Sequence, residues 1–257
     1  MKRWAAPGSM PPRQAAGDKA GDEKGKKRPN ATHVLACFDL KTGKILWHRL
    51  ANKAVPKVKR HMKSTHANPT PATNGKYVVA FFSSEGLYCY KVDGTLAWKK
   101  DLGMLDSGWF YDADYQWGFA SSPIIYRDSV IVQCDIQKQS FLVSFDINSG
   151  SERWRIKRDE IPSWSSPTVV KTPQGDQLVT AATKAARAYD PANGKVIWSI
   201  EGFSEIVVPT PFIAHNLIFV CSGYTPIQPI YAIRPSAKAT VKLKKGEKTN
   251  HSVAWGK

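Results

Sequence analysis

The side chains best equipped for chemistry fall in stretches of this chain with no hydrophobic periodicity. His61, Lys63, His66 and Asn68 lie within one short segment. Two imidazoles and an amine suit metal ligation or proton movement. The histidines are five apart, however, not the i, i+4 pair that places two imidazoles on one helix face, so loop hydrogen bonding is the stronger reading. Asp106, Trp109, Tyr111, Asp112, Asp114, Gln116 and Trp117 crowd the next such stretch. Acids among aromatics there form either a lid over a structural junction or the wall of a ligand or peptide pocket. Asp112 and Asp114, two residues apart on a loop, are a poor basis for a paired-carboxylate hydrolase. Glu85, Asp135, Gln137 and Trp164 are further polar or aromatic residues in short links, Trp164 following the charged run Arg158-Asp159-Glu160. No catalytic residue, metal ligand set or resident cofactor is expected from these patterns.

Such residues need a frame, and the frame repeats. Asp39-Leu40-Lys41-Thr42-Gly43-Lys44-Ile45-Leu46-Trp47 is a tight turn between two apolar runs, closed by a tryptophan. Asp39 can fold its carboxylate onto the following backbone, and Gly43 can supply the positive φ of the turn. The unit recurs with Gly94 and Trp98, Gly150 and Trp154, and Gly194 and Trp198, the tryptophans spaced 51, 56 and 44 residues apart. A second marker precedes the later hairpins: Thr70-Pro71, Ser122-Pro123, Ser166-Pro167 and Thr210-Pro211. Between markers lie two further apolar runs separated by polar turns, with no amphipathic helical pattern. Four short antiparallel strands every 40–50 residues or so define a β-propeller blade. The expected fold is all-β, with residues 1–32 a disordered basic segment and residues 33–257 the repeats. One small sheet cannot bury both faces, whereas stacked blades can. Trp47, Trp98, Trp154 and Trp198 are therefore assigned to packing between blades, with the four glycines at their turns. This geometry sends the chemically rich links to one face of the arc.

Cys37, Cys89, Cys134 and Cys221 are isolated, and Cys37 and Cys89 hold the same repeat position as Ser144 and Ala188. They are read as reduced, small packing residues rather than a metal or redox site. The net charge of +16 is segregated. Residues 1–32 carry eight Lys/Arg against three acids, residues 41–63 eight against none, and residues 238–257 six against one. Weak attraction to polyanions is expected from these segments. No stretch has the length and apolarity of a membrane-spanning helix or a secretory signal.

The units, above all Ala36-x-x-Asp39-x-x-Thr42-Gly43-x-x-x-Trp47, resemble the pyrroloquinoline-quinone-type propeller repeat with its tryptophan-docking motif. That repeat occurs in quinoprotein dehydrogenases and in non-enzymatic propellers of the outer-membrane β-barrel assembly type. The segments Lys63-x-Thr65-His66-Ala67-Asn68 and Gln116-Trp117-Gly118-Phe119-Ala120-Ser121-Ser122-Pro123 are most similar to bacterial propellers of the PQQ-binding-like type. The resemblance implies a periplasmic or cell-envelope setting and a binding or scaffold role toward a protein, peptide or small ligand. Its alternative is a PQQ- and calcium-dependent dehydrogenase. The adjacent cysteine pair of those enzymes has no match here, nor do their catalytic aspartate and calcium ligands.

Residues 33–50 hold two strands of a first blade; full blades span about 69–102, 121–157 and 165–200; a fifth starts near Val208. After its third strand a Lys-rich excursion delays the fourth to Val253-Ala254-Trp255. Rings of this repeat type need about eight blades. The expectation is therefore an incomplete propeller, an open arc that is a fragment of a longer protein or that closes with another chain, with self-association through its open ends.

Overall fold

The computed structural model describes residues 29–61, 63–109, 115–225 and 227–257. Its described residues contain no α-helix, only strands and a single 3-10 turn at Ser83–Glu85. Strands β1 (Ala31–Phe38) and β2 (Ile45–Ala54) form a two-stranded first sheet. Blade two is β3 (Ala72–Thr73), β4 (Tyr77–Phe81), β5 (Leu87–Lys91) and β6 (Leu96–Lys100). Blade three is β7 (Ile124–Tyr126), β8 (Ser129–Cys134), β9 (Phe141–Asp146) and β10 (Glu152–Lys157). Blade four is β11 (Thr168–Val170), β12 (Gln177–Thr180), β13 (Ala185–Tyr189) and β14 (Val196–Glu201). Blade five joins β15 (Phe212–Ala214), β16 (Leu217–Cys221) and β17 (Ile230–Ile233) to β19 (Val253–Gly256). All these pairings are antiparallel, and the sheets follow one another as an open arc of propeller blades. Strand β1 starts at Ala31, so Ala31 and Thr32 belong to the first strand rather than to the segment before it; residues 1–28 lie outside the described residues.

The repeat is visible in hydrogen bonds. Asp39, Asp146 and Asp190 each accept at the backbone carbonyl from the turn glycine, Gly43, Gly150 or Gly194, at 2.8 Å. Their side chains accept from the turn as well: Oδ1 of Asp39 takes Thr42 N at 2.7 Å, Oδ1 of Asp146 takes Ser149 N at 2.9 Å, and Oδ1 of Asp190 takes Ala192 N at 2.8 Å. One register irregularity recurs in every outer hairpin, next to the tryptophan. A β-bulge there increases local twist and aims the indole off the sheet. Opposite each tryptophan stands a small residue: Cys37, Cys89, Ser144, Ala188 and Ala232 face Trp47, Trp98, Trp154, Trp198 and Trp255.

Four apolar clusters fill the four junctions between successive sheets. Leu35, Ala80, Tyr88 and Tyr90 join blades one and two; Val79, Trp98, Val130 and Phe145 join two and three. Ile131, Leu142, Leu178 and Tyr189 join three and four; Val179, Trp198, Ile218 and Val220 join four and five. The core thus lies between layers, as it must when each sheet is too thin to hold one.

The Lys-rich excursion after β17 holds an element that no periodicity announces. Strand β18 (Ala239–Val241) crosses back and pairs in parallel with β14, Trp198 opposite Ala239 and Ile200 opposite Val241. It covers the outer edge of blade four, an edge that would otherwise present unpaired backbone groups.

Candidate functional site

The links within blades and the loops between blades share one face, because they bond to one another at every junction. Leu105 N donates to Ser84 Oγ at 2.8 Å, and Gln137 N to Asp106 O at 3.0 Å. Ser140 Oγ donates to Glu160 O at 2.9 Å, and Thr183 N to Ser163 Oγ at 3.0 Å. Ser204 N donates to Ser222 Oγ at 3.0 Å.

On this face the structure brings the sequence-selected residues into three groups. In the first, Glu85 closes the junction of blades one and two: its carboxylate accepts from Asn52 Nδ2 at 3.0 Å and Lys57 N at 2.8 Å. Beside it His33 is buried against Phe82, ring centroids 5.0 Å apart, with His66 edge-on at 6.4 Å. His33 Nδ1 has no hydrogen-bond partner among the described residues, and burial holds the imidazole below its ordinary pKa against the opposing pull of Glu85. His33 was not singled out by the sequence, since one histidine on an apolar strand carries no signal.

The second group is the junction of blades three and four. Asp135 is fully buried and meets Arg158 through Nε to Oδ1 at 2.8 Å and Nη2 to Oδ2 at 3.1 Å. Arg158 Nη1 also donates to Thr180 Oγ1 at 3.0 Å and to Tyr189 Oη at 2.5 Å. Burial opposes its charge, yet Asp135 above all, with Tyr189 and Glu160 beside it, raises its pKa and keeps it protonated. Glu160, pushed up by burial, is countered by Arg158 and Arg187, and Lys184 N donates to it at 2.9 Å. Asp135 is therefore consumed in a paired, hydrogen-bonded rivet between blades, an arrangement that is costly to break at one partner.

The third group is open to solvent. Residues 101–109 and 115–123 meet through a bridge between Gly108 and Gln116, with Trp109 packed edge-on against Tyr115 at 6.2 Å. Gln116 Nε2 donates to Gln137 Oε1 at 2.5 Å, which ties the loop to blade three. Trp117 and Trp164 meet at 5.4 Å between ring centroids, both half-buried, and Trp164 Nε1 donates to Gly118 O at 2.7 Å. From the other side Asn68 Nδ2 donates to Ser64 Oγ at 2.7 Å and to Phe119 O at 3.3 Å. Three inter-blade loops thus converge on one pair of indoles, with Asn68, Gln116 and Gln137 around it. Asp106 stands nearby with a buried Oδ1 that has no hydrogen-bond partner among the described residues, its carboxyl pushed up by burial. Lys63 is exposed, and His61 Nδ1 accepts from Lys63 N at 3.1 Å. Tyr111, Asp112 and Asp114 lie outside the described residues. Among the described residues no group of three or more His, Cys, Asp or Glu is placed to hold a metal ion.

The Ser/Thr-Pro markers prove to be a stitch whose purpose the sequence hid. Thr70 N donates to Ser122 Oγ, and Ser122 N to Ser166 Oγ, each at 2.9 Å, linking blade to blade beside the innermost strands. The tryptophans act similarly at the outer edge. Trp47 Nε1 donates to Val92 O at 2.9 Å, Trp98 Nε1 to Ile147 O at 2.7 Å and Trp154 Nε1 to Pro191 O at 3.2 Å, each in the turn of the next blade. Each ring lies over the turn glycine: a Cβ on Gly94, Gly150 or Gly194 would stand 2.9, 2.7 or 3.0 Å from it. Trp198 differs. The turn it faces carries Arg234-Pro235 and no glycine, and the indole donates to Gln177 Oε1 at 2.9 Å, whose Nε2 donates to Pro235 O at 2.8 Å. Gln177 relays the contact that the missing glycine denies.

Four-stranded blades stacked as an arc, with outer-strand tryptophans Trp47, Trp98 and Trp154 on the next blade's turn, define a propeller repeat protein of the PQQ-like class. The chain belongs to the family described as outer membrane protein assembly factor BamB, whose model matches residues 31–254. The structure of BamB from Moraxella catarrhalis is similar over 81% of this chain and 55% of that one, at 15% identity and a TM-score of 0.52. Quinohemoprotein alcohol dehydrogenase from Comamonas testosteroni is similar over 84% of this chain and 40% of its own, at 10% identity and a TM-score of 0.53. The chain therefore spans about half the length of these structures. No curated protein matches the sequence. Among the described residues no helix is long and apolar enough to cross a membrane.

Proposed function

We propose that the chain is a non-catalytic binding module that takes a protein or peptide partner on its loop-rich face. The observation that carries this reading is the Trp117–Trp164 pair, held half-exposed by three loops and rimmed by the amides of Asn68, Gln116 and Gln137. Rigid indoles with neutral hydrogen-bonding groups give contact area and orientation at low entropic cost, the makeup of a recognition surface. They offer no nucleophile and no poised acid–base pair. The family's description as an assembly factor for outer membrane proteins favours a protein partner and a periplasmic or cell-envelope setting. The basic segments 1–32, 41–63 and 238–257 add weak, sequence-independent attraction to polyanions.

The alternative, a quinone-dependent dehydrogenase, finds little support in the side chains available. Cys37, Cys89, Cys134 and Cys221 sit in four different strands as free thiols. Burial pushes the Cys89 thiol up to about 12 and holds Cys134 well above its ordinary value. Such thiols pack; they do not react. No adjacent pair is present to lie against a quinone.

A peptide array probed with the purified chain tests the reading. Bound peptides are expected to lose at least ten-fold in affinity with Trp117→Ala or Trp164→Ala and to be unaffected by Lys195→Ala on the opposite face. Dye-linked alcohol oxidation on adding PQQ and calcium, or peptide binding indifferent to both tryptophans, would overturn it.

A further inference from the structure

The indole pair of the loop-rich face is set to give a hydrogen bond rather than to take one. The planes of Trp117 and Trp164 cross at 53° with 5.4 Å between ring centroids, so the half-buried pair presents an inclined apolar surface. Trp164 Nε1–H is spent on Gly118 O at 2.7 Å. Trp117 Nε1–H meets no acceptor among the described residues and remains open to solvent. The oxygens beside the pair are already engaged. Asn68 Oδ1 accepts from Thr65 N and Thr65 Oγ1, both at 3.1 Å. Gly118 O takes Trp164, Phe119 O takes Asn68 Nδ2 at 3.3 Å, and Ser64 O takes Arg60 Nη1 at 2.5 Å. Gly118 is wedged between the loops: at its φ of +88° a Cβ would stand 3.5 Å from Arg60 Cβ and Ser64 Oγ and 3.6 Å from Asn68 Nδ2. The floor under the pair is thus closed, and it offers a partner apolar ring surface and one indole donor.

We infer that the indole pair takes a proline-rich segment in the polyproline II conformation, with Trp117 donating its N–H to one of the segment's carbonyls; this rests on the reading of that face as a peptide site. The reason is complementarity of donors and acceptors. An ordinary peptide brings an N–H with every C=O, and an N–H buried against these engaged oxygens would lose its bond to water without replacement. Proline brings the carbonyl and no N–H. A polyproline segment is extended before it binds and has no internal hydrogen bonds, so its carbonyls are available and little entropy is lost on docking to aromatic rings. An acidic segment drawn to Lys63, exposed in the loop that holds Asn68, is the competing occupant, and it has no need of the free indole donor.

Titration of the full chain with decaproline, followed by the indole N–H signals in proton–nitrogen spectra, tests it. The Trp117 signal, identified by its loss in Trp117→Phe, is expected to move most. Trp164→Ala is expected to weaken binding about ten-fold, and Trp117→Phe, which keeps a ring and removes the donor, about five-fold. Signals of the other tryptophans report whether each variant is folded. Replacing every second proline by alanine restores N–H groups and is expected to weaken binding about ten-fold. Raising the salt concentration is expected to change the affinity by less than about two-fold, since no charge pair is involved. Indole signals that decaproline leaves unmoved, while a glutamate-rich peptide binds through both tryptophans, would overturn this inference and leave the peptide site standing. Decaproline that binds no better than its alanine-substituted form, or equally well to Trp117→Phe, would overturn it too. Failure of every peptide to bind would overturn this inference and the peptide site together.

Discussion

Gly150 shows how much a single missing methyl decides. Its φ of +71° sets the turn, and the Trp98 ring lies where a Cβ would be, 2.7 Å away. Gly75 has a φ of +84° but open space around it. Alanine at either position meets the left-handed penalty of about 1 kcal/mol, and at Gly150 it also forces the indole to move, for about 1–3 kcal/mol more. Urea unfolding of Gly150→Ala and Gly75→Ala should show that difference; equal losses would mean the ring does not depend on the glycine. His33 supplies a pH effect at the same scale. Its folded pKa is lowered, so between the unfolded value near 6.5 and the folded one the unfolded state binds more protons. Stability from this residue is complete above about pH 6.5 and is lost as pH falls through that window. The urea midpoint should drop between pH 7 and pH 5 in the unaltered chain and drop less in His33→Leu. A parallel drop in both would assign the effect to other groups.

At the scale of elements, β18 is the piece whose role is least obvious from its composition. Three residues, Ala239–Val241, lie in parallel against β14 and close the outer edge of blade four. The strand is short and its neighbours are lysines, yet Val241 and Ala237 are buried in the same cluster as Trp198. Replacing residues 237–242 by a Gly/Ser linker should uncover the backbone of Trp198–Ile200. Amide exchange across β14 is then expected to quicken at least ten-fold while that of β9 stays unchanged, since the two lie in different sheets. Unaltered exchange across β14 would show that β18 rests on the blade without protecting it.

At the scale of the molecule, charge and core are separated. Residues 1–32, 41–63 and 238–257 together carry a net charge of +18, while the rest of the chain sums to −2. Residues 41–63 run along β2 and the loop after it, where Arg49 and Lys53 are exposed. Binding of the full chain to heparin should be weak and should fall steeply between about 50 and 200 mM salt, because released counterions drive it. Affinity that is flat across that range would remove the electrostatic reading.

Fold class, blade number and hairpin register were legible in the sequence because each rests on short-range chemistry. An Asp that caps its own turn, a Gly at positive φ and a Trp four residues after it lie within one hairpin, so their spacing reports their geometry. The delayed fourth strand at Val253–Gly256 was legible for the same reason. Partnership across blades was not. Arg158 and Asp135, 23 residues apart, read as two exposed loop charges until packing buried them against each other. Gln177 as a relay, Ser122 and Ser166 as stitches, and β18 as an edge cover depend on residues 21–58 positions away. The indole pair of Trp117 and Trp164 arises only where three loops meet. A repeat writes each unit into the local sequence, but what one unit does to the next is decided by stacking, and stacking brings together residues that no local pattern relates.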